Sequence, residues 1–203
     1  MSYRIVVLAS GSGSDFQSIL DHCETEDTRV VLLITNNPGA YCLVRAKEHG
    51  IPHSVIDHRG LKRREHESLL EKEIDSADPD LIVLAGYMRI LTDGFVEKYY
   101  GKMINIHPAL LPLFGGPGMY GEHVHKAVLE SGMKVSGCSV HFVTNHVDMG
   151  PIIAQICVPV KHDDTVESLS ARVLKEEHRL LPRVVDCFAM GKVRLKEERA
   201  WIQ

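Results

Sequence analysis

The chain has 203 residues, 44% of them hydrophobic and 25% charged, with a formal net charge of −4. That length suits one domain with a full core, and the balanced charge excludes a disordered chain, an acidic or basic tail and the electrostatic footprint of a DNA- or RNA-binding protein. The five cysteines (Cys23, Cys42, Cys138, Cys157 and Cys187) are scattered without a Cys-x-x-Cys, which fits reduced thiols in a cytosol rather than a disulfide or zinc framework.

The first apolar run, residues 5–9, is too short for a signal peptide or a membrane span, so a cytoplasmic protein with no membrane partner is expected. Its β-branched residues predict a strand covered on both faces. Ser10-Gly-Ser-Gly-Ser-Asp15 follows, and then a helical pattern with Phe16, Ile19 and Leu20 apolar. Strand, glycine-rich turn and helix start together make an anion cradle, because free N–H groups and the helix dipole converge there. Phe16 occupies the position of a third glycine, so this is not a dinucleotide fingerprint. Residues 30–35 read as a second strand, 42–49 as a helix stopped by Gly50, and 53–56 as a short third strand. A charged amphipathic helix is predicted over 59–75, with Leu69, Leu70 and Ile74 inward and Arg63 and Arg64 near its start. Residues 81–85 are a fourth strand, followed by Gly86-Tyr-Met-Arg-Ile-Leu91 and a helix from Thr92, an N-cap candidate, to Tyr100.

The next strand, Lys102-Met-Ile-Asn-Ile-His-Pro108, carries a polar pair in an apolar frame. Alternation puts Asn105 and His107 on one face, and Pro108 ends the strand. Open α/β sheets place their chemistry at the carboxyl ends of strands, although such a pair serves equally well to tie down the next loop. Alternating strands and helices up to here predict a Rossmann-like, mostly parallel sheet. Leu113-Phe-Gly-Gly-Pro-Gly-Met-Tyr-Gly121 reads as a long ordered loop. A helix follows over 122–130, then strands over 135–143 and 152–160 as antiparallel neighbours. A long helix over 165–190 buries Leu169, Val173, Leu180 and Val184, with a kink expected at Pro182. A closing hairpin ends the chain over 193–202. Among twelve histidines the only close pair is His123-x-His125, with no acidic or cysteine partner at ligand spacing, so no metal site is expected. Asp148 lies in the loop between the two late strands. A carboxylate placed against His107 would favour its charged form and orient the ring for proton transfer, and the Asn105 amide could serve an oxyanion. As a loop residue before Met149 and Gly150, Asp148 is also an ordinary turn residue.

Several motifs together resemble one family: Ser10-Gly-Ser-Gly-Ser14, Leu84-Ala-Gly-Tyr-Met-Arg-Ile-Leu91, Asn105-Ile-His-Pro-Ala-Leu-Leu-Pro112, Ser139-Val-His-Phe-Val-Thr144, Asp148-x-Gly-Pro151 and Glu177-His178. They span nearly the whole chain, and they are those of the folate-dependent glycinamide ribonucleotide formyltransferases. The resemblance implies a single formyltransferase domain over 1–203, with a phosphate-binding half at about 1–100 and a catalytic, folate-binding half at about 101–203. The antiparallel portion and long helix lie at its C-terminal end. It implies transfer of the formyl group of 10-formyltetrahydrofolate, as co-substrate, to the amine of glycinamide ribonucleotide in purine synthesis. Asn105, His107 and Asp148 would be catalytic. Gly13, Ser14 and Asp15 would hold the substrate phosphate and Glu177 the ribose. Met88, Arg89, Ile90, Leu91, Asn105, Thr144, Asn145, His146 and Val147 would line the pterin pocket, and Arg63 or its neighbour Arg64 would meet the folate tail.

Methionyl-tRNA formyltransferase and formyltetrahydrofolate hydrolase share this core but carry an extra domain, so the chain's length favours the free-standing purine enzyme. A formyltetrahydrofolate hydrolase, a formyltransferase acting on another amine and a non-catalytic nucleotide-binding module are the competing readings, and a homodimer is left open. Two departures from the family stand out. Asp15 replaces an Asn, and is expected to cap the following helix rather than face the phosphate. The 114–121 loop is longer than usual, and could fold over the folate side or fill an edge.

Overall fold

In the computed structural model residues 2–22 and 28–203 are described, so Cys23 lies outside them. Nine strands and six helices follow one another along the described chain. Seven strands form one sheet in the hydrogen-bonded order β3-β2-β1-β4-β5-β6-β7. The chain groups into two compact units, residues 1–104 and 105–203, and the division falls within β5 (Met103–His107).

In the first unit β1 (Tyr3–Leu8) lies between β2 (Thr28–Thr35) and β4 (Leu81–Leu84), with β3 (His53–Val55) beyond β2, all in parallel. Ile5 to Leu8 and all four residues of β4 are buried, as the unbroken apolar runs predicted. Such runs suit strands with both faces covered. The first-unit helices are α1 (Ser14–His22), α2 (Cys42–Glu48), α3 (Arg63–Ala77) and α4 (Asp93–Lys98). Helix α1 buries Phe16, Ile19 and Leu20.

Helix α3 departs from expectation at both its start and its inner face. It begins at Arg63 rather than residue 59, because the Lys62 N–H donates to Glu65 Oε2 at 2.9 Å, the reciprocal half of a capping box. Upstream, Asp57 and Arg59 pair with each other in a local turn. Leu69, expected inward, is exposed, and the buried face is His66, Glu67, Leu70 and Ile74. Two polar residues replace a leucine there because each has a partner. The His66 Nε2–H donates to the Ile56 carbonyl at 3.0 Å. Glu67 accepts the Thr92 N–H at 2.7 Å and its hydroxyl at 2.5 Å. Thr92 is thus the N-cap of α4 by position, but the acceptor for its backbone N–H comes from α3. The other end of α3 is closed by Arg4, whose Nη2 and Nε donate to the carbonyls of Ala77 and Asp78 at 2.6 and 3.1 Å. A cation there meets the unpaired carbonyls of the last turn.

In the second unit β6 (Val135–Phe142) and β7 (Ile152–Pro159) are antiparallel, as expected. Helix α6 (Val166–Ala189) packs on both strands and on α5 (Glu122–Glu130). It buries Leu169, Val173, Leu180 and Val184, and Pro182 lies inside one continuous helix. Its start is a reciprocal cap: the Ser168 N–H donates to Thr165 Oγ1 and the Thr165 N–H to Ser168 Oγ. The hairpin of β8 (Val193–Lys196) and β9 (Arg199–Ile202) closes the chain.

Replacing Glu67 by alanine leaves the Thr92 N–H and hydroxyl without their buried acceptor. Urea unfolding of Glu67→Ala is expected to show a loss of about 2 kcal/mol, and Glu67→Gln a smaller one; an unchanged midpoint for Glu67→Ala would mean that water replaces the carboxylate without cost.

Candidate functional site

Three side chains singled out in the sequence meet within the second unit. Asn105 and His107 project from one face of β5, and His107 is buried. The His107 Nε2–H donates to the Phe114 carbonyl at 2.8 Å, and Nδ1 lies 3.5 Å from Asp148 Oδ2. A carbonyl only accepts, so Nε2 carries a proton. In a neutral ring Nδ1 would then turn a lone pair toward a carboxylate, whereas the imidazolium turns an N–H toward it. Acceptors therefore stand at both ring nitrogens of His107. The sequence alone left Asp148 equally readable as a turn residue. It is both: its φ is 57°, a left-handed conformation, and that bend brings its carboxylate to His107.

His141 completes the cluster. Its Nδ1–H donates to the Phe142 carbonyl at 2.9 Å, leaving Nε2 to accept the Asn105 Nδ2–H at 3.1 Å. Burial is the main influence lowering its pKa, opposed by the Phe142 carbonyl and Asp148 and aided by the His107 charge. The ring is thus held neutral as an acceptor. It fixes one N–H of the Asn105 amide and thereby orients the other. His141 was quoted within a motif but assigned no role. The available signal was Ser139-x-His141, two residues apart on one strand face, the same spacing as Asn105 and His107.

The glycine-rich loop folds onto this cluster. The Phe114 carbonyl holds His107, and the Gly116 N–H donates to Asp148 Oδ2 at 2.9 Å. Between them Gly115 lies close to its neighbours: a Cβ there would stand 2.6 Å from Leu111 Cδ2 and 3.0 Å from Asp148 Cβ, so a side chain would need both to shift. The segment after His107 is anchored as well. Ser139 Oγ donates to the Ala109 carbonyl and accepts the Leu111 N–H, while Gln155 Nε2 donates to Ser139 Oγ and to the Leu111 carbonyl. Of the paired histidines, His123 meets the Tyr120 ring edge-on and His125 is buried on α5. The pKa of His125 is lowered by burial and then by the His107 charge. Among the described residues no three His, Cys, Asp or Glu side chains gather to hold a metal.

Thr144 and Val147 are half-buried while Asn145 and His146 are exposed, in the turn that ends with the Met149 N–H on the His146 carbonyl. Glu177 is buried on α6.

In the first unit the glycine loop and the segment after β4 are joined at Ser10. Its N–H donates to the Gly86 carbonyl, its hydroxyl donates to Asn36 Oδ1 at 2.5 Å, and that same hydroxyl accepts the Met88 N–H at 2.8 Å. Met88 and Ile90 are exposed, and Arg89 and Leu91 half-buried. Arg63 and Arg64 are both exposed on the first turn of α3. Asp15 does not cap α1 as expected, because that helix already begins at Ser14 and Asp15 is its second residue. Burial raises the Asp15 carboxyl to about 6.

The sequence matches the formyl transferase family over residues 3–185. It is 42% identical over 202 residues to the phosphoribosylglycinamide formyltransferase of Escherichia coli K12, covering 98% of this chain and 93% of that one. It is 43% identical over 197 residues to the trifunctional purine biosynthetic protein adenosine-3 of Gallus gallus, covering 96% of this chain but only 19% of that larger protein. Its structure matches that of glycinamide ribonucleotide transformylase 1 from Symbiobacterium toebii with a TM-score of 0.92 and 40% identity, over 99% of this chain and 94% of that one.

The buried Asp15 carboxyl has a consequence for stability. Its folded pKa, about 6, lies above the ordinary range of an aspartate because burial disfavours the charged form. The folded state therefore holds the proton more tightly, and its stability relative to an Asp15→Asn variant falls as pH rises from about 4 to about 6. Thermal unfolding should show the two proteins alike near pH 4 and Asp15→Asn more stable at pH 7.5 by about 2 kcal/mol; a difference independent of pH would contradict the displaced carboxyl.

Proposed function

The chain belongs to the formyl transferase family, and we propose that it transfers the formyl group of 10-formyltetrahydrofolate to the amine of glycinamide ribonucleotide, in the cytoplasm, as a step of purine synthesis. The observation that carries the reading is the Asn105, His107 and Asp148 cluster, with an amide oriented by a neutral His141 and a charged imidazole set against a carboxylate. A nucleotide-binding module has no use for such a cluster.

The amine nitrogen of the ribonucleotide bonds to the formyl carbon and the carbonyl oxygen becomes an oxyanion. The second N–H of the Asn105 amide and the His107 imidazolium stabilise that oxyanion, the formyl oxygen exchanging with the Phe114 carbonyl at Nε2. Asp148 keeps His107 charged while this happens. Collapse of the intermediate breaks the bond from the formyl carbon to the folate N10. The amine gives up one proton and N10 gains one, so no net proton is consumed. A water serves as the relay. Donors placed for a developing oxyanion each contribute about 3–4 kcal/mol to such a step.

In this reading the Gly13, Ser14 and Asp15 loop receives the phosphate on backbone N–H groups, and Glu177 takes the ribose hydroxyls. The pterin is met by Met88, Arg89, Ile90 and Leu91 in the first unit and by Asn105, Thr144, Asn145, His146 and Val147 in the second, and Arg63 meets the folate glutamate. Exposure of Met88 and Ile90 in a segment fixed at Met88 by Ser10 and at Thr92 by Glu67 supports that assignment. Apolar side chains held open to solvent by a fixed backbone are suited to a flat heterocycle.

A spectrophotometric assay of 10-formyltetrahydrofolate turnover, with and without glycinamide ribonucleotide, tests the reading. Turnover should require the ribonucleotide, and kcat should fall by about 10²–10³ in Asn105→Ala and at least as far in His107→Ala and Asp148→Asn. Deformylation without an amine would make the protein a hydrolase. Folate binding with no turnover would point to another amine acceptor.

A further inference from the structure

The glycine loop of the first unit is held from behind by α2 at two points: the Gly11 carbonyl accepts the Cys42 N–H at 3.1 Å and the Ser12 carbonyl accepts Arg45 Nε–H at 2.9 Å. The Gly13 carbonyl is taken by α1, accepting the Gln17 N–H at 2.9 Å as the first bond of that helix. In a trans peptide each carbonyl and the N–H that follows it point in opposite directions. Engaging the Gly11 and Ser12 carbonyls from α2 therefore turns the N–H groups of Ser12 and Gly13 to the other side of the loop, and Ser14 begins α1 beside them. Successive N–H groups facing one way at a helix start form a concave anion site.

Two of those holds are backbone to backbone, and the one at Ser12 is made by a side chain. Arg45 is itself fixed: its Nη1 donates to Gln17 Oε1 at 3.1 Å, and its guanidinium lies 5.1 Å from the centre of the Tyr41 ring. Loop and α2 approach closely enough that Gly13, at φ 69°, has no room for a side chain; a Cβ there would stand 2.5 Å from Cys42 Cβ. The Arg45 guanidinium is thus occupied on the rear of the loop.

We infer that Arg45 is a positioning residue for the anion cradle, holding the Ser12–Gly13 peptide so that the Gly13 N–H meets the substrate phosphate. It acts through this hydrogen bond and not by placing its charge on the anion. The inference rests on the reading that this loop receives the ribonucleotide phosphate.

Substitution separates the two roles, because glutamine and lysine each keep a different half of arginine. In Arg45→Gln an uncharged N–H donor stands at the same number of bonds from Cα as Arg45 Nε. In Arg45→Lys a carbon stands there and the charge lies one atom further out. Steady-state kinetics should show the KM for glycinamide ribonucleotide raised about tenfold in Arg45→Ala, as for loss of one orienting hydrogen bond. Arg45→Lys should resemble Arg45→Ala, and Arg45→Gln should lie within about threefold of wild type, on the scale where tenfold is 1.4 kcal/mol. The kcat and the KM for 10-formyltetrahydrofolate should be unchanged in all three. The reverse order, with lysine near wild type and glutamine like alanine, would show direct charge pairing and overturn the inference. So would wild-type KM in Arg45→Ala, or a loss of kcat and folate KM together with thermal stability, which would mark a role in folding. Wild type is also assayed with the unphosphorylated glycinamide riboside. If it does not favour the ribonucleotide, the phosphate reading itself fails, and this inference falls with it for a distinguishable reason.

Discussion

The Asp148 carboxylate is the charge around which the second unit is arranged. Its side chain is only 10% exposed, and a carboxylate removed from water must find donors or a counter-charge. It finds them at the Gly116 N–H and at His107. Meeting that requirement fixes much else. The turn at Asp148 is left-handed, Gly115 packs close against Leu111 and Asp148, and the 113–121 segment folds back across the strand end instead of extending into solvent. The same fold-back brings the Phe114 carbonyl to His107 Nε2 and so settles which ring nitrogen carries a proton. Electrostatics at one side chain thereby sets the course of a loop, and the loop returns a constraint on the imidazole.

Two histidines lie against this carboxylate in different states, for reasons of hydrogen bonding. His107 has a carbonyl on one nitrogen and a carboxylate near the other, an arrangement that suits two N–H groups. His141 has a carbonyl on one nitrogen and an amide N–H on the other, an arrangement that suits one. Burial reinforces the neutral state of His141. Two rings in one pocket thus differ in the partners offered to their nitrogens, acceptors at both for His107 and one acceptor with one donor for His141.

The first unit uses polar side chains to fix loops. Ser10, two residues beyond the end of β1, binds Gly86 and Met88; Glu67 on α3 binds Thr92; Arg45 on α2 binds Ser12. Each bond joins a loop to a neighbouring element, so the loops are as rigid as the sheet and helices behind them. Preorganisation of this kind matters where a ligand is met by backbone N–H groups, since a peptide that must rotate on binding weakens the contact.

What the sequence by itself determined was whatever repeats along the chain or lies within a few residues. The apolar runs of β1 and β4, the inward stripe of α6 and the shared face of Asn105 and His107 depend on strand and helix periods, and a period is visible in one dimension. The glycine loop before α1 was legible for the same reason. The motifs also carried a family resemblance to which the structural match conforms. Tertiary structure alone decided the pairings between residues distant in sequence. Nothing local distinguishes Asp148 from a turn aspartate, and its role depends on a strand 41 residues earlier, counting back from 148 to His107. Leu69 was assigned inward because hydrophobicity ranks it above Glu67, yet α3 is rotated so that Glu67 is buried, since Thr92 supplies two donors that only the folded chain brings there. The destination of the 114–121 loop, the orienting role of His141 and the hold of Arg45 on Ser12 were hidden likewise. A hydrogen bond is decided by where both partners stand, and only one of them is local to the residue being read.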